Sequence, residues 1–364
     1  MPTTRLKVMV LAGGPDRERS VSLLSGDQVS AALGEAGHDV RQCDVLPGNL
    51  GALDQFTKWR GDVVFPVLHG GWGEGGGLQR VLEERRLPFV GCGAEAADLA
   101  MDKHRAKQVM LRHGLPTPPF EVIGPGQRRT VQPPLVLKPP REGSSIDTFI
   151  CPDRHQARRA RSRLGRRHAR LLVEKFIQGR ELTVGVLADG PCAQALPPIQ
   201  IVPATDFYDF DAKYERDDTR YLFDIDLPAD TLNDVRALAV KTHNALGCRH
   251  LGRVDFIVDS QNRPWILEIN TIPGFTTHSL LPMAAAKARL PLPQLVDRLA
   301  RLAASDPGTT PSTLDVNVVQ ANDVQALVAS QVERDFSDQL SAISRMRPAG
   351  ARKLEADPRP TRRI

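Results

Sequence analysis

GRVDFIVDSQNRPWILEINTIPG, residues 252–274, decides how the rest of the chain is read. It holds two apolar-rich runs, Arg253 to Val258 and Trp265 to Asn270, joined by the turn-forming segment Asp259 to Pro264. That pattern predicts a β-hairpin. Side chains alternate between the two faces of a strand. Arg253 and Asp255 therefore share a face, and so do Glu268 and Asn270. The opposite faces, Val254/Phe256/Val258 and Trp265/Leu267/Ile269, are apolar and suit a core. If the strands pair, an aspartate, a glutamate and an asparagine amide converge on one patch. Three hard oxygen donors suit Mg²⁺, which keeps several waters and takes further ligands from substrate phosphates. Arg253 beside them can stabilise developing negative charge. A merely solvated surface hairpin fits less well, because the charges fall on single faces and the rigid Pro273-Gly274 turn follows at once.

The chain has 364 residues, enough for about two or three domains. Hydrophobic residues at 41% and charged residues at 25% are the proportions of a globular, water-soluble protein. Cys43, Cys92, Cys151, Cys192 and Cys248 are scattered and odd in number, with no C-x-x-C pair. This argues against a disulfide framework or a zinc site and for a reducing compartment. The apolar run Val8 to Ala12 is too short for a signal-peptide core or a membrane span and reads as a first strand. The net charge is +5, and arginines crowd Arg154 to Arg170 without an aromatic residue among them. We read that segment as a solvated basic helix rather than a nucleic-acid site.

Working outward from the hairpin, Lys7 to Leu11 is an apolar strand followed by Gly13-Gly14 and then a helical pattern through Ala32. A strand, a glycine turn and a helix N-terminus form a natural small-ligand site. Val40 to Val45, Val63 to Leu68 and Leu87 to Val90 read as further strands, the middle one running into His69 and a glycine-rich loop. Alternating strands and helices to about residue 95 predict a doubly wound parallel sheet. Ala94 to His113 reads as one helix carrying Met101-Asp102-Lys103, and Gly114 to Pro119 as a linker. Pro134 to Pro139 is a short strand ending in Lys138. The loop Pro140 to Ser145 then offers backbone N–H groups and hydroxyls to phosphate. Leu171 to Ile177 and Gly179 to Val184 are strands in which Glu174 and Glu181 flank Phe176 and Ile177, an arrangement that can hold a flat heterocycle and a sugar hydroxyl, although the spacing fits ordinary surface acids on an edge strand equally well. Residues 205–214, dense in aromatics and charges, read as a lid. Leu232 to Leu246 and Leu292 to Ala303 are helices. Beyond Ser305 the sequence predicts a linker, an amphipathic helix from Val324 to Ile343 that needs a surface to dock on, and a basic, disordered end.

Taken in this order, the pieces resemble the D-alanine–D-alanine ligases of the ATP-grasp superfamily over roughly residues 5 to 303. The resemblance is carried by Gly252-Arg253-Val254-Asp255 and by Leu267-Glu268-Ile269-Asn270-Thr271-Ile272-Pro273-Gly274-Phe275-Thr276. It is carried as well by Lys138-Pro139 with Arg141 to Ser145, and by Phe207-Tyr208-Asp209 with Ala212-Lys213-Tyr214. It implies an α/β protein, α+β overall, in which an N-terminal doubly wound parallel-sheet domain (1–95) precedes a two-lobed ATP-grasp module. The lobes would be 96–190, on the adenine and phosphate side, and 191–304, on the metal and D-alanine side, with a tail at 305–364.

The activity the resemblance implies is ATP-dependent joining of two D-alanines through a D-alanyl phosphate, for peptidoglycan precursor synthesis in the cytoplasm. ATP would be a co-substrate, with two Mg²⁺ or Mn²⁺ ions per site. Membrane and nucleic acid are not expected partners, and a homodimer is compatible with the resemblance. By motif, Glu18 would hold the first alanine's ammonium and join a lid-closing link with Ser144 and Tyr214. His69 would lie near the first alanine and Lys213 near the transferred phosphate. Lys103 and Lys138 would contact ATP phosphates, Glu174, Lys175 and Ile177 the adenine, and Glu181 the ribose. Asp255, Glu268 and Asn270 would bind the metal ions. Arg253 and the Gly274 N–H would stabilise the tetrahedral oxyanion. Ser279 and Leu280 would take the second alanine's carboxylate at a helix N-terminus. Tyr214 favours the dipeptide over D-alanyl-D-lactate as product.

Some positions depart from the family pattern. Ser20 stands where glutamate is usual, Asp16 replaces a small hydroxyl residue, and Gly75 replaces an acid. Asp147 stands where the phosphate loop usually has glycine. A carboxylate there weakens triphosphate binding unless it points away or meets an arginine.

Overall fold

Strand β1 (Lys7–Gly13) is buried on both faces, which is why it reads as an unbroken apolar run. The computed structural model describes residues 4–144, 146–189, 192–203 and 218–306, all within one unit that spans 1–317. Helix α1 (Arg19–Glu35) follows β1, then β2 (Asp39–Val45), α2 (Gly51–Trp59) and β3 (Val63–Pro66). The strands form a parallel sheet in the order β2-β1-β3. Val8, Val10 and Ala12 face Val29 and Leu33 of α1. Met9 and Leu11 face Leu53 and Phe56 of α2 on the other side. Helices on both faces make this the doubly wound domain expected from the alternation of elements. The strand expected at Leu87–Val90 does not form. That segment touches β3 by a single parallel bridge, Val64 to Phe89, because its neighbours turn away at Gly91 with φ +103°.

The glycine-rich loop closes into α3 (Gly70–Glu74) and α4 (Gly77–Glu84). Gly75 sits between them, where a Cβ would fall 2.4 Å from the Gly71 carbonyl oxygen, so this sharper turn admits no acid. The helix expected over 94–113 is two helices, α5 (Ala94–Met101) and α6 (Lys103–Arg112). The break is at Asp102, whose carboxylate accepts hydrogen bonds from the N–H groups of His104 and Arg105 and so caps α6. A capping aspartate competes with continuation of the preceding helix.

The next four strands, β4 (Phe120–Ile123), β5 (Leu135–Lys138), β6 (Phe149–Cys151) and β7 (Leu171–Lys175), form an antiparallel sheet in the order β4-β7-β5-β6. Helix α7 (Arg154–Leu164) lies between β6 and β7 in sequence. It buries Ala157, Ala160 and Leu164 against this sheet and leaves most of its arginines in solvent. Strand β7 stops at Lys175, short of Ile177, because Phe176 and Ile177 leave the ladder before the next strand begins.

Strands β8 (Gly179–Asp189), β9 (Cys192–Ala195), β10 (Ile199–Val202) and β11 (Arg220–Leu222), helix α8 (Ala229–Ala245), and strands β12 (Leu251–Asp259) and β13 (Pro264–Asn270) follow. The larger sheet runs β11-β10-β8-β12-β13, with β9 also pairing with β8. Strand β8, which a boundary at 190/191 groups with the smaller sheet, hydrogen-bonds along β12 of the larger one. Helices α9 (Leu280–Lys287) and α10 (Leu292–Ser305) complete the described chain. Leu295 and Leu299 of α10 return to pack with Val8 and Leu33 of the first domain. No helix among the described residues is long and apolar enough to cross a membrane. The amphipathic helix expected at 324–343 lies outside the described residues.

His243, on the buried face of α8, has no water-exposed surface, and its Nε2 has no hydrogen-bond partner. Burial pulls its pKa from 6.5 down to about 4. The folded protein thus refuses a proton that the unfolded chain accepts below pH 6.5. Stability from this group is intact above pH 6.5 and is lost as pH falls toward 4, by on the order of 3 kcal/mol. Urea unfolding at pH 7 and at pH 4.5 is expected to show a lower midpoint at the acid value. His243→Gln should reduce the difference but not remove it, since burial lowers His69, His104 and His250 in the same direction.

Candidate active site

Strands β12 and β13 pair antiparallel, with Arg253 opposite Asn270 and Asp255 opposite Glu268. The register then shifts. Phe256 pairs with Ile266, so Leu267 is an extra residue on β13. This bulge corrects the strict alternation expected from sequence: Ile266, not Leu267, joins Val254, Phe256 and Val258 in the core. It lets β13 bury Ile266 and still turn Glu268 and Asn270 to the side of Asp255. Bulges re-aim side chains in this way next to functional sites.

Arg253 grips Asp255 through Nε–Oδ1 at 2.9 Å and Nη2–Oδ2 at 2.8 Å. Thr183, opposite Asp255 on β8, donates its hydroxyl to the same Oδ1 at 2.6 Å. Glu268 is paired with Lys103 at 3.1 Å. The Lys103 ammonium also donates to the Glu142 carbonyl at 2.7 Å, tying the hairpin to the loop that follows β5. Asn270 Oδ1 accepts the Ile272 N–H, which fixes the amide.

A cleft of about 90 Å³ gathers Glu18, His69, Lys103, Ser144, Arg253, Glu268, Asn270, Gly274, Ser279 and Leu280. Glu18, where α1 begins, accepts a short hydrogen bond from the Ser144 hydroxyl, joining the first domain to the loop that follows β5. The Tyr214 member of that link, and Lys213, lie outside the described residues. His69 is buried and held below its ordinary pKa, chiefly by desolvation and partly offset by Glu18. The turn after β13 is anchored by Phe275, which stacks edge-on against Phe65 at 5.6 Å and donates its N–H to Ser25. A Cβ on Gly274 would lie 2.6 Å from Ser279 Oγ, so glycine keeps that hydroxyl in place. Ser279 in turn opens α9 and accepts the Thr276 N–H.

Asp255, Lys138, Glu174, Lys175, Ile177 and Glu181 do not line this cleft. Asp255 lies just behind Arg253. Lys138, at the end of β5, pairs with Glu174 of β7 at 2.5 Å. Glu174 is nearly sealed, 3% exposed, and its other oxygen meets Lys107 at 2.7 Å. It is thus a carboxylate between two ammoniums rather than the exposed flank that spacing suggests. Lys175 and Ile177 follow at the end of β7, and Glu181 lies across on β8 of the larger sheet.

Two cleft neighbours were missed by sequence reasoning. Lys107 sits one turn beyond Lys103 on α6, a spacing that could have signalled a shared face. Glu74, at the end of α3, is held up to about pKa 8 by burial and by the Glu18 charge, so it is largely protonated at neutral pH. It accepts the Gly70 N–H. Asp147, the departure in the phosphate loop, meets Arg167 at 2.6 Å and His168 at 2.9 Å. Its charge is thereby turned away and offset. Asp16 likewise finds a partner, the Trp72 N–H at the start of α3.

The donor set fits Mg²⁺ or Mn²⁺. Asp255 and Glu268 face each other across the ladder, with Asn270 two residues beyond Glu268 on β13, and two carboxylates with an amide oxygen are hard ligands of the kind these ions take. Among the described residues no group of three or more His, Cys, Asp or Glu is placed to hold a metal ion.

Two antiparallel lobes meeting beside a phosphate loop, with lysines and a metal-type hairpin between them, define an ATP-grasp ligase fold. Two solved structures share this fold. The D-alanine–D-alanine ligase of Coxiella burnetii superposes with TM-score 0.70 over 83% of this chain and 96% of its own, at 24% identity. The ligase of Bacillus anthracis complexed with ATP gives TM-score 0.68 over 82% and 97%, at 26% identity. A family model described as the D-ala D-ala ligase C-terminus matches residues 110–301. The D-alanine–D-alanine ligase of Bordetella pertussis is 48% identical over 284 residues, 77% of this chain and 89% of that protein. The chain belongs to the D-alanine–D-alanine ligase family.

Proposed function

We propose that the protein joins two D-alanines to D-alanyl-D-alanine at the expense of ATP, supplying a peptidoglycan precursor in the cytoplasm. The observation that carries this reading is the convergence of Glu18, Ser144, Lys103, Arg253, Glu268, Asn270 and Ser279 on one small cleft. A carboxylate is a poor acyl donor, and phosphorylation gives it a leaving group. The protein's task is therefore to position reactants and neutralise charge. Glu18 holds the first alanine's ammonium beside His69. Lys103 and Lys138 hold the nucleotide phosphates, with Lys175, Ile177 and Glu181 toward the base and ribose. The N-terminus of α9, with Ser279 and Leu280, receives the second alanine's carboxylate, as its dipole favours. Arg253 and the Gly274 N–H stabilise the oxyanion formed when the second amine attacks. Magnesium ions held by Asp255, Glu268 and Asn270 would neutralise charge on the transferring phosphoryl group. For Tyr214 and Lys213, which lie outside the described residues, the proposed roles are those the resemblance implies: Tyr214 joins Glu18 and Ser144, and Lys213 serves the transferred phosphate.

The test is phosphate release from ATP by purified protein supplied with D-alanine, D-lactate or L-amino acids. Release with D-alanine alone at neutral pH is expected, and release only when D-lactate is added would overturn the dipeptide reading. Light scattering on the same sample tests whether the protein is a homodimer. The pairing of Asp147 makes a separate prediction. Arg167→Ala unmasks that carboxylate beside the phosphate loop and should raise the KM for ATP about threefold. Asp147→Gly added to it should restore the parent value. Equal KM values in all three proteins would show that Asp147 never faces the nucleotide.

A further inference from the structure

Lys107 has no exposed side-chain surface, and burial works against its charge. A buried ammonium persists only when it is paired. Its partner is Glu174, which already holds Lys138 through the other oxygen. One carboxylate thus serves two ammoniums, and the trio keeps a net positive charge. Lys107 also donates to the Thr117 hydroxyl, which donates to the Ile266 carbonyl of β13 at 2.8 Å. Ile266 is the residue just before the bulge that aims Glu268. A continuous polar path therefore runs from the metal-type hairpin through Thr117, Lys107 and Glu174 to Lys138.

We infer that Lys107 is a positioning residue for nucleotide binding: it shares the Glu174 carboxylate with Lys138, so that this carboxylate offsets less of the positive charge that Lys138 offers to ATP phosphate. Without Lys107, the carboxylate pairs wholly with Lys138, and the attraction offered to an anion falls. This inference rests on the reading of Lys138 as a phosphate contact. It adds a residue that itself touches neither substrate nor nucleotide.

The experiment measures KM for ATP, KM for D-alanine and kcat in Lys107→Met, Glu174→Gln and the double variant, with melting temperature recorded for each. Lys107→Met is expected to raise the KM for ATP about tenfold and to leave the KM for D-alanine within about twofold. The double variant should match Glu174→Gln alone, since Lys107 acts through that carboxylate. A lowered melting temperature with an unchanged KM for ATP would overturn the inference and leave Lys107 a packing residue. If Lys107→Met does not fold, the double variant carries the test, because it strands no buried carboxylate. A KM for ATP equal to that of Glu174→Gln supports the inference, and one raised further by more than about threefold overturns it. Lys138→Ala separates this idea from the reading beneath it. An unchanged KM for ATP there would sink the phosphate role of Lys138 itself. A raised KM there beside an unaltered Lys107→Met would sink only the role of Lys107.

Discussion

Arg253→Met is expected to lower kcat by about 10²–10³ while leaving ATP affinity nearly intact. The guanidinium lies on the cleft wall, 15% exposed, with two of its nitrogens fixed on Asp255. A donor held this rigidly needs no reorganisation when the oxyanion forms, which is where its effect on rate arises. The same pairing complicates a simple deletion. Methionine leaves Asp255 with only the Thr183 hydroxyl among the side-chain partners identified above, so some stability is lost as well. Arg253→Lys separates the two effects. It retains the charge and much of the stability but cannot form the two-point grip. Steady-state kinetics with D-alanine, together with calorimetric ATP binding, would measure both. A kcat within about fivefold of the parent in a well-folded Arg253→Met protein would remove the oxyanion role.

Glu268→Gln is expected to have the second large effect, and through a different quantity. The substitution keeps shape and removes one charge, from a residue directly across the ladder from Asp255. If Glu268 is a metal ligand, the Mg²⁺ concentration needed for half-maximal ATP binding should rise by at least about 100-fold, more than the loss of a supporting partner costs. Lys103 loses its 3.1 Å counter-ion at the same time, so ATP binding without metal should not weaken. Calorimetric titration of ATP at graded Mg²⁺ reads this without turnover. An unaltered metal dependence would place Glu268 outside the metal set.

Much of the site was legible because it is written in local patterns. A period of two put Asp255 beside Arg253 and Asn270 beside Glu268, and a Pro-Gly pair marked the turn that carries Gly274. Glu18 was legible only through the family resemblance, and it sits where α1 begins. Errors arose where a local rule met a non-local demand. Leu267 was assigned to the core by alternation, but the need to bury Ile266 against Phe256 inserted a bulge. The helix expected from Ala94 to His113 broke at Asp102, whose side chain found better donors in the next turn. The pairing of β8 with β12 was not legible either, because nothing in the residues of a strand names its partner.

By itself the sequence determined which residue types the hairpin presents and in what spacing. Those depend on backbone periodicity and turn chemistry, which act over a few neighbours. Tertiary structure alone decided who meets whom across the chain. It placed Glu174 between Lys107 and Lys138, set Asp147 against Arg167, and raised Glu74 toward neutrality beside Glu18. The strength and even the sign of a charge's effect depend on burial and on partners brought from distant segments. No window along the chain contains that information.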